Sequence, residues 1–150
     1  MEKIKYLNLY IVLLVSLFSE LCAHSLVLVH IGQEIPAYMY YCMQQIRIFN
    51  SCDVYLVANA NALEKFNAPL EEFDVIGIPC ESLEKSYHHQ KFAQAEHLEN
   101  GFWRYTTERF FYIEELARQL QLTDIFHIEY DNMLYVDVSQ LELAIRFPWL

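Results

Sequence analysis

Glycine and proline are scarce, at three and four residues in 150. An all-β protein with many tight turns draws heavily on both, so this composition speaks against that class. Basic side chains are also few. Ten Lys and Arg stand against twenty Asp and Glu, for a formal net charge of −10 and a pI near 4.9. A basic nucleic-acid-binding surface is therefore not expected. A phosphate-bearing small molecule is not excluded, since it needs only one local cation or metal. There is no G-x-x-x-x-G-K-[ST] phosphate loop, no G-x-S-x-G elbow and no G-x-G-x-x-G dinucleotide fingerprint. No C-x-x-C or mixed Cys/His metal spacing occurs, and no repeat or low-complexity tract. What is present in abundance is apolar and aromatic: 55% and 15% of the chain. Such a chain folds around a core, and its length suits one domain.

Residues 1–23 differ from the rest. Lys3 and Lys5 precede an apolar run from Tyr6 to Phe18, which Glu20 ends, and Leu21-Cys22-Ala23 offers a cleavage site. The run is short for a membrane span and about right for a signal peptide. The expectation is a cleaved signal and a mature chain over 24–150, entering the secretory pathway. An uncleaved anchor would give membrane association through residues 6–18, and a buried N-terminal helix is a further alternative. Glu20 counts against a lipoprotein role for Cys22. A mature chain keeps Cys42, Cys52 and Cys80, an odd number that reads as small core residues, not a disulfide framework.

From Ser25 the apolar pattern alternates between strand and helix. Ser25–Ile31 reads as a strand buried on both faces, Ala37–Phe49 as a helix after Pro36, and Asp53–Ala58 as a second strand. Ala60–Phe66 reads as a short helix and Phe73–Ile78 as a third strand. Glu81–Asn100 reads as a solvated connection, with His88 and His89 not paired as metal ligands. Phe102–Gln121 is the longest helix. Its helical periodicity gathers Phe102, Trp103, Phe110, Ile113, Leu116, Ala117 and Leu120 on one face, with Arg104, Glu108, Glu115 and Arg118 opposite. Arg109 falls inside the apolar stripe. It either meets an anion there, such as Glu129, Asp131 or a phosphate, or snorkels to water from the stripe's edge.

The next strand begins at Asp124 and reaches Glu129-Tyr130-Asp131. Acids at i and i+2 on extended chain share a side, and two neighbouring carboxylates call for a cation. Oxygen ligands of this kind suit Mg²⁺ or Mn²⁺. The bland alternative is a strand whose last acids simply face solvent. Strand alternating with helix implies a mostly parallel sheet, whose ligands bind beyond the carboxyl ends of the strands. His30, Gly32, Asn59, Glu129 and Asp131 all fall at such ends. The two acids are accordingly expected at the end of a central strand, beside a cleft.

Taken together, these segments resemble the donor half of a GT-A glycosyltransferase. The resemblance rests on Val29-His30-Ile31-Gly32 with Ile35-Pro36, on Val54–Asn59, on Gly101-Phe102-Trp103-Arg104, on Glu108-Arg109-Phe110, and on His127–Asp131. It implies a Rossmann-like three-layer α/β/α sandwich that binds a nucleoside-diphosphate sugar. It implies that Glu129 and Asp131, in the place of a D-x-D motif, hold Mn²⁺ or Mg²⁺ against the diphosphate. Glu129 stands where the family's first Asp is usual. His30 and Gly32 would lie near the nucleotide's base and ribose, with Asn59 and Arg109 also at the donor. The acceptor would be a glycan, protein or lipid, with no nucleic acid involved. Members of that family continue well past the metal motif, so the sandwich is expected to be incomplete at the C-terminus, as in a fragment or truncated product. A short helix is expected over 139–146. The alternative function is an exported α/β module that binds without turnover, or an inactive remnant of such an enzyme. A phosphoryl-transfer enzyme fits less well, because its nucleophilic Asp or phosphate loop is missing.

Overall fold

The structure, a computed structural model, describes residues 24–95 and 101–141. The expected signal segment and residues 142–146 of the last expected helix lie outside the described residues. Strand β1 (His24–His30) leads into helix α1 (Tyr38–Phe49) and strand β2 (Asp53–Ala58). Helices α2 (Ala60–Lys65) and α3 (Asn67–Glu72) precede strand β3 (Val75–Pro79). A 3₁₀ turn (Cys80–Ser82), helix α4 (Tyr87–Ala93), helix α5 (Gly101–Leu120), strand β4 (Asp124–His127) and a second 3₁₀ turn (Val138–Gln140) complete the order.

The strands form one sheet in the order β3-β2-β1-β4, with every pairing parallel. The α/β class is thus as expected, and the topology is compatible with a Rossmann-like fold. Among the described residues β4 is the outermost strand, not a central one.

Both faces of β1 are buried, as its unbroken apolar run requires. Leu26 and Leu28 pack with Met39, Met43 and Ile46 of α1, Leu63 of α2 and Leu70 of α3. Val27 and Val29 pack with Tyr112 and Leu116 of α5 and with Cys80 and Leu83. The period-2 alternation of a strand divides these residues between two cores. Cys42, Cys52 and Cys80 are buried, as expected of small core residues.

Helix α1 buries Met39, Cys42, Met43 and Ile46, one helical stripe. It stops at Asn50, whose backbone is extended and whose side chain binds three backbone groups. Its amide donates to the Ile46 and Val136 carbonyls at 3.2 and 3.1 Å, and its Oδ1 accepts from Val138 N–H at 2.8 Å. One residue therefore caps a helix and holds the chain that follows β4. Arg47, in the last turn of α1, donates to the carbonyls of Phe73 and Cys52, both at 2.6 Å.

Helix α3 was not anticipated, and it contains Pro69. At the third position of the helix its missing N–H costs nothing. Gly77 on β3 lets these two short helices approach closely. A Cβ there would lie 3.0 Å from Leu70 Cδ1 and 3.3 Å from Leu63 Cδ2.

Two further expectations need correction. The segment after Cys80 is not simply a solvated connection. Ser86 caps α4 by accepting from His89 N–H at 3.2 Å, and His89 is fully buried. Helix α5 does not bury the stripe of highest hydrophobicity. Trp103 and Phe110 are 65% and 58% exposed and Leu120 is also exposed, while Glu108, Tyr112, Glu115 and Leu116 are buried. The side chain of Phe102 lies outside the description. The physical reason is His89, whose ring lies between the two glutamates. Nδ1 is 2.8 Å from Glu115 Oε1 and Nε2 is 3.0 Å from Glu108 Oε1. A buried acid with a hydrogen-bonding partner is tolerable where a lone one is not.

Candidate functional site

The chain lays down β1, β2 and β3 in one direction and then returns to place β4 on the other side of β1. The crevice between the carboxyl ends of β1 and β4 is where open α/β sheets bind ligands. A cleft of ≈ 270 Å³ lies there. Val29 at the end of β1 and Ile31 just beyond it line one side. Tyr38 of α1, Tyr105, Thr106 and Arg109 of α5, and Glu129, Tyr130 and Asp131 after β4 complete its wall.

Arg109 and Glu129 form an ion pair, with Nη2 2.7 Å from Oε1. The Arg109 side chain is 19% exposed and that of Glu129 49%. Arg109 Nε also donates to the Thr106 carbonyl at 3.0 Å, and its guanidinium lies over the Phe110 ring. The expectation that Arg109 meets an acid on the following segment is met. The route differs, because Arg109 reaches the cleft from the side of α5 facing the ends of the strands, not from a buried apolar stripe.

Glu129 and Asp131 lie beyond β4, which ends at His127. Asn132 N–H donates to the Glu129 carbonyl at 3.0 Å and closes a turn around Asp131. Their shared position on the cleft therefore comes from this turn, not from strand alternation. Tyr130, between them, anchors the segment. Its hydroxyl is 3.1 Å from His30 Nδ1, and its ring stacks on Tyr38 with centroids 5.9 Å apart. Burial pushes the Tyr130 phenol above its ordinary value, and the neighbouring Tyr38 and Asp131 add to this. Cys42 Sγ–H donates to the Asn132 carbonyl at 3.6 Å, tying the turn to α1.

His30 itself is 7% exposed and does not wall the cleft. Burial lowers its pKa, favouring the neutral ring. Gly32 stands against that ring: a Cβ at Gly32 would lie 2.8 Å from His30 Nε2. Gly32 N–H donates to Asn59 Oδ1 at 3.2 Å, and Glu81 accepts from Ala60 N–H at 3.1 Å and from Asn59 Nδ2 at 3.4 Å. These bonds, its own backbone first, hold the Glu81 carboxyl below its ordinary range. Of the six residues singled out by the sequence, Arg109, Glu129 and Asp131 share the cleft. His30 braces it from behind, and Gly32 and Asn59 form a separate hydrogen-bonded link.

Tyr130 and Tyr38 were missed. The signal was available, since an aromatic residue between two acids must either project to solvent or pack. His127 was missed as well. Its Nδ1–H donates to the Val27 carbonyl at 2.8 Å, and its Nε2 is buried with no partner among the described residues. Among the described residues, no group of three His, Cys, Asp or Glu side chains is arranged to hold a metal ion.

Comparison with protein-family models and with curated proteins returns no match.

Proposed function

We propose that this chain carries the donor-binding half of a GT-A-type glycosyltransferase, a three-layer α/β/α sandwich that takes a nucleoside-diphosphate sugar. One observation carries the reading: a guanidinium and two carboxylates converge on a cleft at the β1/β4 switch point. Arg109 would bind a phosphate oxygen with paired N–H donors. Val29, Ile31 and the Tyr38–Tyr130 stack give the cleft apolar walls, which strengthen that contact by excluding water. Its ≈ 270 Å³ is small for a whole nucleotide sugar and adequate for a diphosphate with its adjoining ribose.

The carboxylates fit Mn²⁺ or Mg²⁺ in chemistry, being oxygen donors at the rim of a cleft, and such ions take their remaining ligands from phosphate and water. Asp131 would be the principal ligand, with Glu129 shared between the ion and Arg109. When bound, the ion would neutralise charge on the departing diphosphate. The acceptor would be a glycan, protein or lipid, and export would proceed through residues 1–23. No helix among the described residues is long and apolar enough to cross a membrane.

A second reading, an exported module that binds without turnover, is favoured by the same ion pair, because Arg109 already neutralises Glu129. Calorimetric titration with UDP- and GDP-sugars, with and without Mn²⁺, tests the donor reading. Metal-dependent binding supports it. Absence of binding to any nucleotide sugar rejects it. Sugar transfer by the bound chain separates the enzyme from the module.

A further inference from the structure

Glu129 occupies the cation that the proposed ligand needs. The Arg109 guanidinium is mostly buried and tethered by its Nε to the Thr106 carbonyl, so its free edge points to one place, and Glu129 Oε1 is there at 2.7 Å. The backbone beneath Glu129 is not free to carry it away. Tyr130 is fastened to His30 and Tyr38, and the Asn132 turn closes on the Glu129 carbonyl. The Glu129 side chain, by contrast, is half exposed and can swing into solvent at little cost. We infer that Glu129 is an internal stand-in for the ligand's anion: it caps Arg109 in the free protein, and an incoming phosphate group displaces it. The inference rests on the donor-binding reading and assigns Glu129 a role that metal ligation alone does not include.

The arrangement has a functional sense. An uncapped arginine in an apolar-walled cleft would take any small anion. One held by its own carboxylate yields only to a ligand that repays the lost ion pair, as a diphosphate does with several oxygens. Asp131 provides the internal control, being a second acid on the same cleft. Removing either acid lessens the general repulsion of an anion, but only removal of Glu129 also frees Arg109.

The test uses inorganic pyrophosphate as the probe, without divalent metal, on the whole chain. Glu129→Gln should bind it roughly fivefold more tightly than wild type, the upper range for loss of a partly exposed ion pair. Asp131→Asn should give a clearly smaller gain. Arg109→Gln should bind it more weakly than wild type, and thermal melting of each variant verifies folding. Adding Mn²⁺ should reverse the order for Glu129→Gln if that carboxylate also serves the metal. Equal gains in Glu129→Gln and Asp131→Asn would overturn the inference, leaving only a charge effect. So would no gain at Glu129→Gln, or no pyrophosphate binding by any form. Nucleotide-sugar binding by wild type, measured separately, distinguishes failure of this capping role from failure of the donor reading.

Discussion

At the scale of the residue, Gly32 and the cysteines make the clearest demands. Gly32→Ala would force the His30 ring to move, since the new methyl meets Nε2 at 2.8 Å. The ring carries Tyr130, so the acidic turn should loosen. The expected result is weaker ligand binding with the fold retained, read by calorimetry beside circular dichroism. Burial pushes the Cys42 thiol to about 11 and the Cys80 thiol to about 12, leaving negligible thiolate at neutral pH. Iodoacetamide should label neither in the native protein and both after denaturation, as mass spectrometry of the digests can show. Native labelling of Cys42 would mean that α1 leaves the sheet readily.

His30 and His127 both have pKa values lowered from 6.5, chiefly by burial. Each is held neutral when folded and is free to protonate when unfolded, so the unfolded state binds more protons as pH falls. Their contribution is whole above 6.5 and is lost as pH drops through the window beneath it. Urea midpoints should fall between about pH 7.5 and about pH 5.5, and His127→Gln should flatten part of that slope. A midpoint that rose on acidification would contradict this sign.

At the scale of the element, α4 and α5 are joined by buried hydrogen bonds where a solvated connection was expected. His89 stacks on Phe111 and meets Tyr112 edge-on, and its two ring nitrogens meet the buried carboxyl groups of Glu115 and Glu108. Lys85 and Arg104 stand 3.8 Å from Glu108 at the rim and balance the cluster from outside. His89→Ala should cost roughly 1–3 kcal/mol, the usual loss on leaving a buried acceptor without its hydrogen-bond donor. The double variant Glu108→Leu with His89→Leu should recover part of that loss. Denaturant unfolding measures both, and a loss under about 1 kcal/mol for His89→Ala would show that water reaches the cluster.

This cluster also marks the limit of what the sequence discloses. The strands were legible because unbroken apolar runs such as Leu26–Val29 have few other fates, and α1 because Met39, Cys42, Met43 and Ile46 keep one helical stripe. The orientation of α5 was not. A periodicity weighted by hydrophobicity assigns Trp103 and Phe110 to the core and the glutamates to water. The actual orientation depends on His89, on another helix, and no local pattern announces that partnership. The Arg109–Glu129 contact was legible as a need for a counter-charge. The anchoring of Glu129 by Tyr130 and His30 was not, because it depends on two strand ends meeting.

At the scale of the whole molecule, β1 and β4 share a four-residue register, whereas β1 and β2 share six. Amides of β4 should therefore exchange faster than those of β2, and a ligand seated between the ends of β1 and β4 should narrow the difference. Hydrogen exchange with and without pyrophosphate measures this directly. An unchanged β4 on saturation would place the ligand away from the cleft.

The pairing of β1 with β4 also has a consequence in time. His30–Tyr130 and Val27–His127 each join residues 100 apart, whereas Gly32–Asn59 joins residues 27 apart. Closing the longer loop costs about 1 kcal/mol more in chain entropy. On the ribosome, β1, β2 and β3 are complete long before β4 emerges. Until then β1 presents an unpaired edge of apolar backbone, the arrangement on which nascent chains stick to one another. A chain ended before Asp124 should accumulate in the insoluble fraction while the whole chain remains soluble. Slow, cool expression should favour the native product, because the strand that completes the cleft is also the strand that protects the nascent sheet.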